Sequence, residues 1–457
     1  MATDCIPQVT FEFQGLSTPV VATFDTPYTS SDGGAVLLKA VDERLGLTRR
    51  LADCLLDGRQ PGKVQHELAE LVRQRVFGLC CGYLDCNDAA RLADDPIFKL
   101  LLERDPINGA ALASQPTLSR FENAVGAREL VAMGHGLADL VIAQHRRRLH
   151  GRARRITIDF DPTDDPTYGQ QELAFFHGKY GTTCYLPLVA TLTFNDEPAQ
   201  YLVGAVLRPG TSGTAKGAIG RLRTLFHKLR AAFPGVRLRV RLDGGFTGNP
   251  LLDFLEAEAV EYVVGLPSNS RLDKRVRRLL GRARMAAKAS GETAHEFGET
   301  RYAAKKWSRK RRVIMKAEVV RYPGRDPRDN PRFVVTNLAA PPKAVYQVYR
   351  GRGDMENRIK EVKGEGLGLD RTSCHGFVAN QFRVLLAVAA YILFQTLQRQ
   401  TRGTVCADAQ VRTLRERLLK VAVWVAVSAR RIVLHLPATF PWLRPWRRIA
   451  YAVGASP

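Results

Sequence analysis

Tyr349, Arg352, Glu356 and Lys363 stand at offsets of 0, 3, 7 and 14 residues. On an α-helix, at about 100° per residue, these offsets fall within about 60° of one another. One face then carries a phenol, a guanidinium, a carboxylate and an ammonium. A carboxylate flanked by cations suits a site that holds a metal ion against phosphates. The same spacing also fits an ordinary solvated helix face. Gly351 and Gly353 weaken the first turn by about 1 kcal/mol each. The regular helix is therefore expected to begin near Asp354, and Gly364 and Gly366 end it. Two aspartates stand upstream where strand patterns stop, Asp161 and Asp243, the latter just before Gly244 and Gly245. Aspartate is a poor strand former, and strand ends open into clefts; capping a turn is the competing role for each. Cleavage of a phosphodiester needs a deprotonated nucleophile and a stabilised leaving oxygen, and two Mg²⁺ ions about 3.5–4 Å apart, held by acidic residues, supply both. Asp161 and Asp243 at neighbouring strand ends, with Glu356 reaching in from the later helix, would form such a set. Asp159 shares a strand face with Asp161 and is its rival.

The elements that must position these residues are legible as a change of period. Arg155–Asp161 alternates, with Ile156, Ile158 and Phe160 on one side and Thr157, Asp159 and Asp161 on the other. Strand patterns follow at Cys184–Phe194 and Ala199–Leu207. A helix over Thr214–Ala232 leads to a strand over Val236–Asp243, a helix over Pro250–Ala257 and a strand over Glu261–Val264. The order β-β-β-α-β-α-β predicts an α/β fold, a ribonuclease-H-like mixed sheet with helices on its faces. That catalytic core is expected in two parts, 151–267 and 338–400, the second containing the signature helix and an apolar helix, Phe377–Gln398, packed under the sheet. Between them, residues 268–337 are expected to form a basic β-rich insertion, with strand-like runs at Thr300–Ala304, Arg312–Arg321 and Arg332–Thr336. Residues 271–332 hold 20 Lys and Arg against 7 Asp and Glu, +13 of the chain's +23. Lys305, Lys306, Arg309, Lys310, Arg311 and Arg312 are expected to grip duplex DNA there. Trp307 among them would either stack on a displaced base or cap a small core.

Residues 1–150 read as a helical N-terminal domain after an opening strand-like VTFEF. Basic helix ends at Arg49, Arg50, Arg73 and Arg75 would serve a DNA-end reader; helices merely packing on the catalytic core are the alternative. His145–Arg155 adds six arginines that would track phosphates. Residues 401–457 form a basic C-terminal region for DNA or dimer contacts, with Trp442 and Trp446 interleaved among arginines.

The charge balance, 68 Lys and Arg against 45 Asp and Glu in 457 residues, implies a polyanionic partner. Nucleic acid is favoured over a membrane surface, because the longest apolar run, Val384–Phe394, is too short to span a bilayer. No basic-then-apolar segment opens the chain, which points to the cytoplasm. The eight cysteines contain no C-x-x-C pair, and Cys80 and Cys81 read as reduced core thiols, not zinc ligands or disulfide partners.

The signature Tyr-x2-Arg-x3-Glu-x6-Lys is matched at all four positions, and it resembles that of DDE transposases of bacterial insertion sequences. SSDGGAVLLKAVDERLGL from Ser30, GYLDCNDAARLADDP from Gly82, SQPTLSRFEN from Ser114 and ITIDFDPTDDPTYGQQ from Ile156 extend the likeness. So do RLDGGF from Arg241, RFVVTNL from Arg332 and ANQFRVLLAVAAYILF from Ala379. Together they cover most of the chain and resemble the transposases of insertion sequence family 1380. The resemblance implies a cut-and-paste transposase that binds the terminal inverted repeats of its element. It would pair two ends as a homodimer, cleave with Mg²⁺ (or Mn²⁺) on Asp161, Asp243 and Glu356, and join 3′ ends to target DNA near the bacterial nucleoid. Its D-x-T pattern falls on Asp161-Pro162-Thr163, and it places Tyr349, Arg352 and Lys363 on end phosphates. A nuclease of the same fold without strand transfer, or a DNA-binding protein that has lost catalysis, are the alternatives. Asp164 and Asp165 precede Pro166 and are read as a turn; His177, in FFHGKYG, is given no role.

Overall fold

The computed structural model describes residues 11–13, 15, 17–18 and 20–456. Of the VTFEF stretch, Val9 and Thr10 lie outside these residues; Phe11–Phe13 (β1) pairs antiparallel with Val20–Ala22 (β2). Thr29–Ser30 (β3) precedes seven helices: α1 (Val36–Leu45), α2 (Leu47–Ala52), α3 (Leu68–Cys81), α4 (Cys86–Arg91), α5 (Pro96–Leu101), α6 (Gln115–Ala124) and α7 (Ala127–Arg148). The expected helical block is present, with α2 added after Gly46, whose left-handed backbone ends α1.

The α/β half begins with β4 (Arg155–Pro162). A small three-stranded sheet follows from β5 (Asp165–Pro166), β6 (Phe175–His177) and β7 (Thr182–Tyr185). Then come β8 (Leu188–Phe194), β9 (Tyr201–Val206), α8 (Ala218–Ala232), β10 (Arg237–Leu242), α9 (Asn249–Ala257) and β11 (Glu261–Leu266). The main elements thus run β-β-β-α-β-α-β in chain order. In the large sheet they lie in the order β9-β8-β4-β10-β11, with β4, β10 and β11 mutually parallel and β8 and β9 antiparallel to their neighbours.

The basic segment expected to be β-rich also contains a long helix. It opens with a 21-residue helix, α10 (Ser270–Ser290), capped by the Asn269 side chain. Only then come β12 (Ala294–Tyr302), β13 (Arg311–Val320), a two-residue β14 (Arg328–Asp329) and β15 (Arg332–Thr336). These strands do not form a sheet of their own: β15 pairs with β11, and β13 and β12 continue the same sheet outward.

The signature lies on two helices, α11 (Pro342–Arg350) and α12 (Gly353–Val362), followed by α13 (Phe377–Gln400). Helix α13 is apolar and long enough to cross a bilayer, yet it is the buried axis of the fold. It packs against β9 on one side and against α1, α3, α6 and α7 on the others. One hydrophobic cluster therefore runs from Ala35 to Val453 and joins the N-terminal helices to the sheet. This consumes part of the charge expected to face DNA. Arg75 is fully buried, with Nε 2.7 Å from Glu122, and Arg73 is buried and paired with Glu103 at 3.1 Å.

The C-terminal stretch folds as α14 (Val411–Leu414), a single π turn (Arg415–Leu419), a hairpin of β16 (Val423–Ser428) and β17 (Arg431–His435), and α15 (Leu443–Ala452). Both of its interleaved tryptophans make contacts within the fold, Trp446 Nε1 donating to Leu418 O at 3.1 Å and Trp442 lying under Arg417, while Arg444 and Arg447 are exposed. Cys54, Cys80, Cys81, Cys86, Cys184, Cys374 and Cys406 are free thiols.

Candidate active site

Ile156, Ile158 and Phe160 are wholly buried on one side of β4, which fixes Thr157, Asp159 and Asp161 on the other. Leu242 of β10 is in register with Phe160, so Asp243 and Asp161 leave two adjacent parallel strands at the same edge. Neighbouring strands lie about 4.8 Å apart. Asp243 also caps the turn Gly244–Phe246, accepting a hydrogen bond from Gly245 N at 3.0 Å. Both carboxylates line a cavity of about 880 Å³ with Arg352, Glu356 and Lys363. Burial pushes the Asp161 carboxyl up to about 6; Arg352 pulls it down, and Asp243 and Glu356 push it up further.

Asp159 faces a different set of partners. Arg241 Nε and Nη2 donate to its two oxygens at 2.8 and 2.7 Å, and Gln200 Nε2 donates at 3.3 Å. It does not line the cavity. Asp165 is not the expected turn residue: it lies buried in β5, accepts hydrogen bonds from Thr372 Oγ1 at 3.0 Å, and burial pushes it up to about 7.

The signature is broken where its glycines are weakest as helix formers. Helix α11 stops at Arg350 and α12 starts at Gly353, so the four side chains do not share one helix face. A Cβ on Gly351 would collide with Arg241 Nη1, which reaches Val348 O at 3.2 Å. Gln200 holds the same break through Gly351 O at 3.2 Å. The next residue, Arg352, spans two carboxylates: Nη1 is 2.9 Å from Asp161 and Nη2 is 3.3 Å from Glu356. Lys363, ending α12, donates to Thr163 Oγ1 at 3.3 Å and Asp164 O at 2.8 Å. Tyr349 lies outside the cavity, on α11. Its hydroxyl occupies the place a side chain on Gly265 would need, so Gly265 is required by close approach.

The basic loop after β12 divides. Lys305, Lys306, Arg309 and Lys310 are exposed, although Arg309 is 3.0 Å from Glu256. Arg311 is buried among Asn249, Asp253 and Glu256, and Arg312 is tied to Glu299 and the Leu338 and Ala340 carbonyls. The expected phosphate grip of these two is thereby corrected, because a guanidinium satisfied by carboxylates has no free fork for phosphate. Trp307 takes the capping role. Its Nε1 donates to Thr247 O at 3.0 Å, its ring meets Tyr302 edge-on, and Arg311 lies over it. His177 is not at the cavity; Lys179 and Tyr180, two and three residues later, are. The Gly-Lys-Tyr-Gly run beside the first strand, a cation and a phenol in a turn, was the available signal. Asp370 and Arg412 also line the wall, and their sequence surroundings carry no such mark.

Carboxylates at the ends of adjacent parallel strands, facing an Arg-Glu-Lys helix, agree with one family. The family model described as Transposase DDE domain group 1 matches residues 14–454. The chain belongs to the DDE transposase family. A cryo-electron microscopy structure of a piggyBac transposase synaptic complex with hairpin DNA is similar over 84% of this chain and 80% of its own, at 12% identity and a TM-score of 0.38. No curated protein matches significantly.

For a DDE transposase the implied resident ion is a divalent metal. Among the described residues no three His, Cys, Asp or Glu side chains are gathered closely enough to hold one as they stand. The donor chemistry nevertheless fits. Asp161, Asp243 and Glu356 carry hard oxygen donors on one cavity, and burial, with Asp243 and Glu356 adding to it, raises Asp161. The Glu356 side chain is 58% exposed and leans on Arg352.

Proposed function

We propose that this protein is a cut-and-paste DNA transposase of the insertion sequence family 1380 branch, built on a ribonuclease-H-like core. It would act in the bacterial cytoplasm at the nucleoid, on the inverted repeats of its own element, as a homodimer pairing two ends. The observation that carries this reading is the meeting of Asp161, Asp243 and Glu356 on one cavity with Arg352 and Lys363 beside them. The strand order β9-β8-β4-β10-β11 supports the ribonuclease-H-like assignment. When bound, Mg²⁺ or Mn²⁺ supplies activation of a water or 3′-hydroxyl and charge stabilisation at the leaving oxygen. Asp161, Asp243 and Glu356 are the residues that would hold it. Arg352 and Lys363 are the cations proposed for the end phosphates, and each would exchange its present partners, Asp161 and Glu356 for Arg352 and Thr163 and Asp164 for Lys363, for phosphate oxygens. Tyr349, on the preceding helix with its hydroxyl against Gly265, is the third signature residue proposed for the end phosphates.

The test is direct. Duplexes carrying the inverted repeats that flank the gene are incubated with purified protein, Mg²⁺ and a target plasmid. Release of 3′ ends at the repeat boundary, followed by joined products, is expected. Cutting without joining would leave a nuclease, and failure to cut would overturn the reading.

A further inference from the structure

Helix α10 has two faces of opposite character. Leu272, Val276, Leu279, Leu280, Ala283 and Ala287 are buried, against β12 and β13. The outward face carries eight exposed Lys and Arg side chains against one acid, Asp273. Three of the eight are occupied: Arg275 with Thr300 and the Arg301 carbonyl, Arg282 with Glu296 and Arg284 with Asp329. The other five, Arg271, Lys274, Arg277, Arg278 and Lys288, have no acidic partner within ion-pair distance among the described residues. At 100° per residue they occupy an arc of about 120° on one side of the helix. Like charges at such spacing repel by a few tenths of a kcal/mol per pair, so the face gains most from an external polyanion.

The position of the helix names the polyanion. Strand β11 ends at Leu266, on the edge where Asp161 and Asp243 emerge, and the Pro267 ring packs against Gly244. The start of α10 therefore adjoins the Asp243 turn. Arg275 lies over the Tyr302 ring, Tyr302 meets Trp307, and Trp307 is bonded to Thr247, so the exposed Lys305, Lys306 and Lys310 adjoin the same end. From there the helix runs outward for 21 residues, about 30 Å at 1.5 Å per residue. That is the length of about nine base pairs at 3.4 Å each. A membrane surface does not fit, because the apolar face that would insert is already buried against strands.

We propose that the outward face of α10 is the track for the duplex flanking the cleavage site, with the exposed lysines of the 305–310 loop continuing it toward Asp243. The inference rests on the transposase reading and adds the surface that reading lacks. Phosphate contacts of this kind hold a duplex in register without reading its sequence.

The test uses the full chain with Arg271, Lys274, Arg277 and Arg278 all replaced by Gln, and a labelled 30-base-pair duplex of arbitrary sequence titrated across salt. Each phosphate contact contributes about 0.9 to the slope of log K against log salt. The variant should lose about 3.6 from that slope and bind specific-end and arbitrary duplexes equally more weakly, while its melting temperature stays at the parent value because the four side chains are exposed. Lengthening the flank up to about nine base pairs should strengthen binding by the parent and not by the variant, and flank beyond that length should add nothing for either. A variant that keeps the parent's slope and affinity overturns the track and leaves the transposase reading standing. A parent that binds no duplex at low salt overturns both.

Discussion

Arg352 sits where three acidic groups meet, and its two short contacts, to Asp161 and Glu356, set the charge balance of the cavity. Burial raises the Asp161 carboxyl, and Asp243 and Glu356 add to that rise against the pull of Arg352. A carboxyl raised by burial and by neighbouring acids, on a cavity, is what a proposed ligand set would show. Asp243→Asn and Glu356→Gln keep volume and remove one charge each. Both variants should bind end duplex like the parent, since neither side chain has to touch DNA, and both should lose cleavage by at least about a thousandfold. Gel shift and nicking scored in one reaction check this, and nicking at the parent rate by either variant refutes the assignment. Asp161→Ala should be equally inactive. It should also not be destabilised, because it relieves a buried carboxyl whose partner Arg352 retains Glu356.

Asp159, two residues away, belongs to the scale of elements. With Arg241 and Gln200 it ties β4, β10 and the segment before β9 to the break between α11 and α12. Asp159→Ala would leave the Arg241 guanidinium buried without its carboxylate, a loss of about 3–5 kcal/mol. Asp159→Ala with Arg241→Met should recover most of that loss, since an uncharged pair has nothing to leave unpaired. Urea denaturation of the two variants checks the prediction, and cleavage per folded molecule should survive better in the double variant than in Asp161→Ala. This network also shows what one sequence discloses. Alternation in Arg155–Asp161 placed both aspartates on one face and left them equivalent; their difference comes from Gln200 and Arg241, on other elements. The two glycines of the signature announced a weak first turn, but the reason Gly351 lacks a side chain is an arginine 110 residues earlier. The order of strands and helices was readable because core strands and helices differ in period. Helix α10 was readable too, in Leu272, Val276, Leu279, Ala283 and Ala287 at three- and four-residue steps. Its dense charge and the strand-like runs after it led to an expectation of a β-rich segment in which this helix was not named.

At the scale of the whole molecule, one core wraps α13, so buried titratable groups far apart act on a common unfolding equilibrium. Two of them oppose each other. His145 is buried between Phe194 and Tyr201, receives a hydrogen bond from Arg148 Nε at 3.0 Å, and is held down to about 2 by burial and by Arg148 and Arg399. Its folded value lies below the unfolded one near 6.5, so its contribution is present above pH 6.5 and is lost as pH falls. Asp165 is the reverse. Its folded value of about 7 lies above the unfolded 3.8, so its contribution is complete below pH 3.8 and is lost as pH rises toward 7. Each slope approaches about 1.4 kcal/mol per pH unit. Between pH 5 and 6.5 the two nearly cancel, and the stability contributed by this pair should be flat there. Substitution separates them. The stability of Asp165→Asn relative to the parent should be greater at pH 7 than at pH 5 by about 2 kcal/mol. For His145→Phe the same difference should be greater at pH 5 than at pH 7, by a similar amount. Urea unfolding of the three proteins at both pH values measures this, and a difference that does not vary with pH would mean that the group concerned titrates in the fold as it does in water.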